Sequence, residues 1–254
     1  MVKHPFIVKL FYAFETEDCF YLGLEYMGGG DLFNYLEKIH VLPEDRACLY
    51  TAEVILAVKY LHENNIVYRD LKPNNILLDA QGHVKLSDFG LCKRLHPDKN
   101  RAYTFCGTLD YMSPEMVQKR VYNEAVDWWS VGVLLYDMLT GCTPFTILND
   151  RNMTIQNIKF GKFSFKKTKV IVTPVAKDLI CKLLKLAIPL YYQIQPKERL
   201  GSGPSGTKEL MSHPFFKNIN WENLLFRKLE PLINRIDENV KFEEIFENIF
   251  EHRF

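Results

Sequence analysis

The chain of 254 residues lacks an excess of either charge: 32 Lys and Arg face 31 Asp and Glu, for a formal net charge of +1. That excludes a whole-protein field able to gather nucleic acid or an anionic membrane, so any recognition of charge must be local. Cysteine is sparse and scattered. Cys19, Cys48, Cys92, Cys106, Cys142 and Cys181 include no Cys-x-x-Cys spacing, which argues against zinc and against a disulfide framework and points to reduced thiols in the cytosol or nucleus. Long apolar runs are missing as well; the most apolar late run, 186–192, is too short to span a bilayer and contains Pro189. With no basic-then-apolar leader, the expectation is a soluble protein that neither inserts into membranes nor binds nucleic acid. What is present is ordinary globular material, 47 % hydrophobic and 25 % charged, enough for one large core or two modest ones.

Residues 6–14 and 19–26 flank a polar turn and read as a β-hairpin, which is marginally stable alone. Gly28-Gly29-Gly30 follows, in isolation a flexible linker. Asp31 is placed to cap a short helix running to Ile39. Pro43-Glu44-Asp45 opens a longer one that ends near Asn64-Asn65 and buries one face through Ala47, Tyr50, Val54, Ala57, Val58 and Leu61. Residues 124–140 are apolar on nearly all sides and predict a buried helix, with the adjacent Trp128 and Trp129 in the core and Gly141 at the stop. Residues 176–185 predict an amphipathic helix, and Phe242, Ile245, Phe246, Ile249 and Phe250 predict another. The run 186–195 is expected to be a gene-model error, since an exposed apolar run carries an aggregation cost with no visible benefit.

Residues 66–90 carry the chemistry. Two short apolar hairpins are expected there: Ile66-Val67 ends one run, 68–75 is a polar loop, and Ile76-Leu77-Leu78 turns back through Gly82 to Val84 and Leu86. Val84 and Leu86 alternate with His83, Lys85 and Ser87, the pattern of a half-buried strand. Strand ends thus deliver a carboxylate (Asp70), a cation with an amide behind it (Lys72, Asn75) and a second carboxylate (Asp88). That set suits phosphoryl transfer, which needs charge neutralisation and in-line positioning more than covalent chemistry. Asn75 and Asp88 can hold magnesium through oxygen atoms, and Asp70 can accept a hydroxyl proton while aiming the nucleophile.

Tyr68-Arg69-Asp70-Leu71-Lys72-Pro73-Asn74-Asn75 followed by Asp88-Phe89-Gly90 resembles the catalytic and metal loops of protein kinases. The likeness extends through Thr104-Phe105-Cys106-Gly107-Thr108, Ser113-Pro114-Glu115 in place of Ala-Pro-Glu, Trp128-Trp129 and His213-Pro214-Phe215-Phe216. It is nearest to the AGC group of eukaryotic serine/threonine kinases, and within it to the ribosomal protein S6 kinases. His213 as a metal ligand is the poorer reading, for want of a second ligand at a useful spacing.

The resemblance implies an α+β, bilobal fold: a small-lobe remnant and hinge at 1–27, the large lobe at 28–216 and an AGC-type tail at 217–254. The Gly-rich loop, the strand lysine and the helix glutamate of the family would lie upstream of Met1. The implied cofactors are ATP and Mg2+. Leu24 would be the gatekeeper, with the Glu25 carbonyl and Met27 amide on adenine and Asp31, Asn75, Leu77, Ser87 and Asp88 completing the nucleotide site. Asp70 and Lys72 would be catalytic, Thr104 the target of an upstream activating kinase, and Arg69 and Lys93 its phosphate partners. Asp127 would brace the catalytic loop, and Arg199 would pair with Glu115. Substrates would be proteins with basic residues near Ser or Thr, read partly at Asp31 and position 74, where the neutral Asn74 weakens that preference. The alternative is a catalytically inactive kinase fragment serving as a binding or regulatory module.

Overall fold

In the computed structural model, residues 3–95, 102–165, 170–185 and 198–228 are described. The chain opens with β1 (Leu10–Glu15) and β2 (Phe20–Leu24), antiparallel from Glu15↔Phe20 to Leu10↔Leu24 with an irregularity between Leu10 and Tyr12. The first strand is shorter than the apolar text suggested, because the preceding residues take another partner. Ile7 bridges Leu86 in parallel, Val8 N donates to Leu86 O at 2.9 Å, and the buried Phe6 closes the core. The hairpin itself is apolar on both faces and exposed, Phe20 most of all at 78 %. Its aromatic rings cover one another, Phe14 stacking on Tyr21 at 4.8 Å.

The glycine run is no free linker. Gly29 N donates to Leu78 O at 2.9 Å and Leu78 N to Gly30 O at 2.8 Å, which binds the segment to a later strand. Gly30 takes φ 70°, a conformation that costs glycine little. Asp31 then caps α1 (Leu32–Ile39), accepting from Asn34 N at 2.8 Å. α2 (Glu44–Glu63) starts after Pro43 with Glu44 and Asp45 in its first turn, where the helix dipole favours them. Its middle is buried on most sides rather than on one face, because the helix runs through the core.

Four short strands follow, and one of the two expected hairpins is absent. β3 (Ile66–Val67) pairs with β6 (Lys93–Arg94), while β4 (Ile76–Leu78) and β5 (Val84–Leu86) form the local hairpin. A two-residue strand has no local partner across a polar loop, so its backbone groups are met by chain more than twenty residues later. β5 is buried on both faces, against the half-buried reading. Lys85 is 6 % exposed and meets Glu25 Oε1 at 2.5 Å, and His83 Nδ1 lies 2.5 Å from Glu53 Oε1. Lys85 and the preceding His83 are each buried against a carboxylate, which is what makes the burial tolerable.

The helical body is built on α2 and on α4 (Ala125–Thr140), preceded by the short α3 (Pro114–Val117). α4 is buried from Ala125 to Leu139 but for Asp137, and ends at Gly141 with φ 74°. Gly132 lets α6 (Pro174–Leu183) approach: a Cβ there would lie 2.8 Å from Leu183 Cβ. α5 (Arg151–Phe160) precedes it, and α7 (Thr207–Met211) and α8 (Trp221–Leu225) close the body. No described helix is long and apolar enough to cross a membrane. The run 186–195 and the helix expected over 242–250 fall outside the described residues.

Candidate active site

The polar loop between β3 and β4 is held from beneath by one carboxylate. Asp127, fully buried in the first turn of α4, accepts from Tyr68 N at 2.9 Å and Arg69 N at 2.8 Å, and lies 2.7 Å from His62 Nε2. Three donors around two oxygens compensate the buried charge. They also fix Arg69 at φ 71°, a left-handed conformation costing a side-chain-bearing residue about 1–2 kcal/mol. Above it, the Tyr68 hydroxyl donates to Ser87 O in a very short bond, and burial pushes its pKa well above the ordinary phenol value. The residue before Asp88 is thereby tied to the residue two before Asp70.

Asp70 is 7 % exposed, and both its oxygens are engaged. Oδ1 accepts from Thr108 N at 3.1 Å and Thr108 Oγ1 at 3.2 Å; Oδ2 accepts from Asn75 Nδ2 at 2.9 Å and Lys72 Nζ at 2.8 Å. Lys72 Nζ also donates to Thr108 Oγ1 at 3.0 Å. Because Asn75 uses Nδ2 for Asp70, on the carboxylate and on its carbonyl, its Oδ1 is the atom left for a cation. Ser87 N and Oγ both donate to Asn75 O, at 2.9 and 3.1 Å, which sets Asp88 one residue from the Asn75 backbone. Asp88, exposed and at φ 49°, accepts from Gly90 N at 3.0 Å. Asn75 and Asp88 offer oxygen donors of the kind a hard divalent cation takes, and magnesium needs only one or two protein ligands beside phosphate and water.

The residues expected to form the hinge run from the end of β2 to the start of α1. Met27 is buried, Leu24 is exposed and Leu77 lies in β4, where it bridges Asp31. Glu25 N donates to Lys9 O at 2.8 Å. Among the described residues the Met27 amide and the Glu25 carbonyl make no protein hydrogen bond, which leaves a donor and an acceptor for the edge of a heterocycle. Asp31 is committed to its helix cap, including Asn34 Nδ2 at 2.7 Å.

Not every residue taken together in the sequence meets here. Arg69 Nε donates to Leu91 O at 2.6 Å and Nη1 to Tyr122 Oη at 3.1 Å, while Lys93 Nζ lies over the Tyr103 ring at 5.2 Å. Neither cation touches the Thr104 hydroxyl; Thr104 instead accepts from the Tyr122 hydroxyl through its carbonyl, at 2.9 Å. Glu115 and Arg199 do meet, Nη1 to Oε1 at 2.7 Å and Nη2 to Oε2 at 3.2 Å. Burial alone would raise the Glu115 carboxyl, but the guanidinium and its hydrogen bonds outweigh that and hold it below its ordinary value.

The sequence reading assigns no role to His62, Thr108, Tyr111, Tyr122 or Asp137. Thr108 carried a signal, lying in the same Thr-Phe-Cys-Gly-Thr stretch as Thr104; the others join the site only through contacts across the fold. Tyr111 Oη donates to Asp137 Oδ2 at 2.5 Å, and burial raises the Asp137 carboxyl although that bond opposes it. Asp137 and Glu37 line a cleft of about 510 Å³ with Phe33, Leu36, His40 and Pro73, the last immediately after Lys72.

A carboxylate gripped by a lysine, a threonine and an asparagine, with the β4–β5 hairpin leading to a second carboxylate, is the arrangement expected of the protein-kinase class. Residues 1–216 match the protein kinase domain family, and the chain belongs to that family. It is 44 % identical over 249 residues to ribosomal protein S6 kinase beta of Caenorhabditis elegans, covering 98 % of this chain and 43 % of that protein. It is 44 % identical over 229 residues to RAC-beta serine/threonine-protein kinase A of Xenopus laevis, covering 90 % and 45 %. Ribosomal protein S6 kinase alpha-3 of Mus musculus is 45 % identical over 230 residues, covering 91 % and 30 %. These relatives are named as protein kinases, and the protein kinase domain in general implies ATP and a divalent metal. The chain spans less than half the length of these relatives.

Proposed function

We propose that the chain supplies the catalytic, metal-holding and substrate-reading part of a serine/threonine kinase that phosphorylates proteins in basic contexts, with ribosomal protein S6 kinase-like specificity. The observation that carries this is the grip on Asp70. Lys72, Asn75 and Thr108 each donate to its carboxylate, so its orientation is set before a substrate arrives. Asp70 would orient the acceptor hydroxyl and take its proton, and Lys72, already 2.8 Å from that carboxylate, would neutralise charge on the moving phosphoryl. ATP would supply the phosphoryl and Mg2+ the charge neutralisation, with Asn75 and Asp88 as metal ligands and Leu24, Glu25, Met27, Asp31, Leu77 and Ser87 along the nucleotide.

Basic substrate residues would be read partly at Asp31, whose carboxylate also caps α1, and by Glu37 in the cleft beside Pro73, with the neutral Asn74 weakening that preference. Thr104 would be phosphorylated by an upstream kinase and its phosphate met by Arg69 and Lys93. The balanced charge and unpaired cysteines fit a cytoplasmic or nuclear protein that neither inserts into membranes nor binds nucleic acid.

The rival reading, an inactive binding or regulatory module, draws on the exposed apolar faces of the β1–β2 hairpin, which need cover from elsewhere. Phosphate transfer from magnesium-[γ-³²P]ATP to an arginine-rich serine peptide separates the two. Kinase function predicts incorporation that falls by about 10²-fold or more in Asp70→Asn; incorporation absent from the wild-type chain, or undiminished in the variant, favours the module.

A further inference from the structure

We propose that Tyr122 is a positioning residue that holds the segment from Leu91 to Glu115, which resembles the activation segment of protein kinases, to the catalytic loop through Arg69 before Thr104 carries a phosphate. The proposal rests on the reading of Thr104 as the phosphosite. Tyr122 lies beyond the segment, just before α4, and is 3 % exposed. It grips the segment twice. Its backbone exchanges hydrogen bonds with Ala102, at 2.7 and 2.8 Å, and its hydroxyl donates to Thr104 O at 2.9 Å. The hydroxyl in turn accepts from Arg69 Nη1 at 3.1 Å.

Arg69 completes the connection. Its amide is fixed on Asp127 Oδ1 at 2.8 Å, and its Nε donates to Leu91 O at 2.6 Å. One guanidinium therefore joins the first residue of the segment directly, and Thr104 by way of the phenol, to the residue next to Asp70. Burial raises the phenol above its ordinary pKa, so its proton stays committed to the Thr104 carbonyl and a lone pair stays available to Arg69.

A neutral phenol is a weaker acceptor for a guanidinium than a phosphate dianion. Phosphate on Thr104 would therefore compete for Arg69 and make the phenol's contribution redundant. A ring that merely packs would contribute equally in both states, and this difference separates positioning from simple structure.

Hydrogen exchange of the chain, followed at the amides of 102–106, tests this without turnover. Tyr122→Phe keeps the ring and removes the hydroxyl. In the unphosphorylated chain the variant should exchange about tenfold faster over 102–106, the size of a hydrogen bond to a charged group, with α4 amides unchanged. In chain carrying genetically encoded phosphothreonine at 104, the acceleration should shrink to about twofold or less. Arg69→Lys should reproduce the unphosphorylated effect, and combining it with Tyr122→Phe should add little. No acceleration without phosphate, equal acceleration with and without it, or additive effects of the two substitutions would each overturn the proposal. A lack of phosphotransfer alongside the expected exchange pattern would count against the kinase function alone.

Discussion

Replacing Arg199 by methionine should be among the most damaging single changes outside the catalytic loop. The guanidinium is buried, makes two hydrogen bonds to Glu115 and one to Ala125 O at 2.8 Å, and lies 5.2 Å from the centre of the Trp129 ring. Methionine preserves much of the volume, so the loss is electrostatic. Glu115 is left buried without its cation, for which about 3–5 kcal/mol is usual, and the Ala125 carbonyl loses a donor. At about 2–4 °C per kcal/mol for a chain of this size, a loss of about 3–5 kcal/mol should lower the melting temperature by about 6–20 °C.

The pH dependence should also change. In the wild type the folded-state pKa of Glu115 is depressed, so its stabilising contribution is present above the ordinary carboxylate range and is lost as pH falls through the folded value. Without Arg199, burial is the dominant influence and raises the pKa. The contribution then reverses: stability is best at low pH, where the buried carboxyl is protonated, and declines as pH rises through the ordinary range. Thermal melts of wild type and Arg199→Met at about pH 3 and 8 measure both effects. The double variant Glu115→Leu/Arg199→Met should recover about 1–4 kcal/mol, since no unpaired charge remains. A single variant melting within about 2 °C of wild type, or a double variant no better than the single, would refute the assignment of this pair as a charge-compensated brace.

Gly107→Ala should loosen the segment above Asp70, because at φ 98° an added Cβ would lie 2.7 Å from the Arg69 carbonyl. A loss of about 1–3 kcal/mol in a denaturant titration is expected, and an unchanged midpoint would count against that close approach. Asn74→Glu should sharpen selection for arginine upstream of the acceptor by restoring a carboxylate beside Pro73; a peptide-array profile identical to the parent's would refute it.

Local chemistry was legible where a residue acts on its own neighbours. Asp31 caps α1 because a short acceptor before an apolar helix face has amides three residues away to bind, and Gly141 ends α4 because it tolerates a left-handed φ. The Asp70, Lys72 and Asn75 cluster was legible for the same reason, all three lying within six residues. The local hairpin expected at Ile66-Val67 and the half-buried β5 were not met, since each depends on where distant chain arrives. Strand alternation assumes a wet face. Nothing local to Lys85 indicates that Glu25 will lie over it.

By itself, then, the sequence determined the helix ends, the spacing of Asp70, Lys72, Asn75 and Asp88 and the family to which the chain belongs, because these are set by contacts within about one turn or one loop. Only the tertiary structure decided that β3 finds β6, that Thr108 crosses to Asp70, that His62 joins the two catalytic-loop amides on Asp127, and that Arg69 faces Tyr122 rather than the Thr104 hydroxyl. Those contacts join residues 26 to 65 apart, and their geometry follows from the packing of α2 and α4.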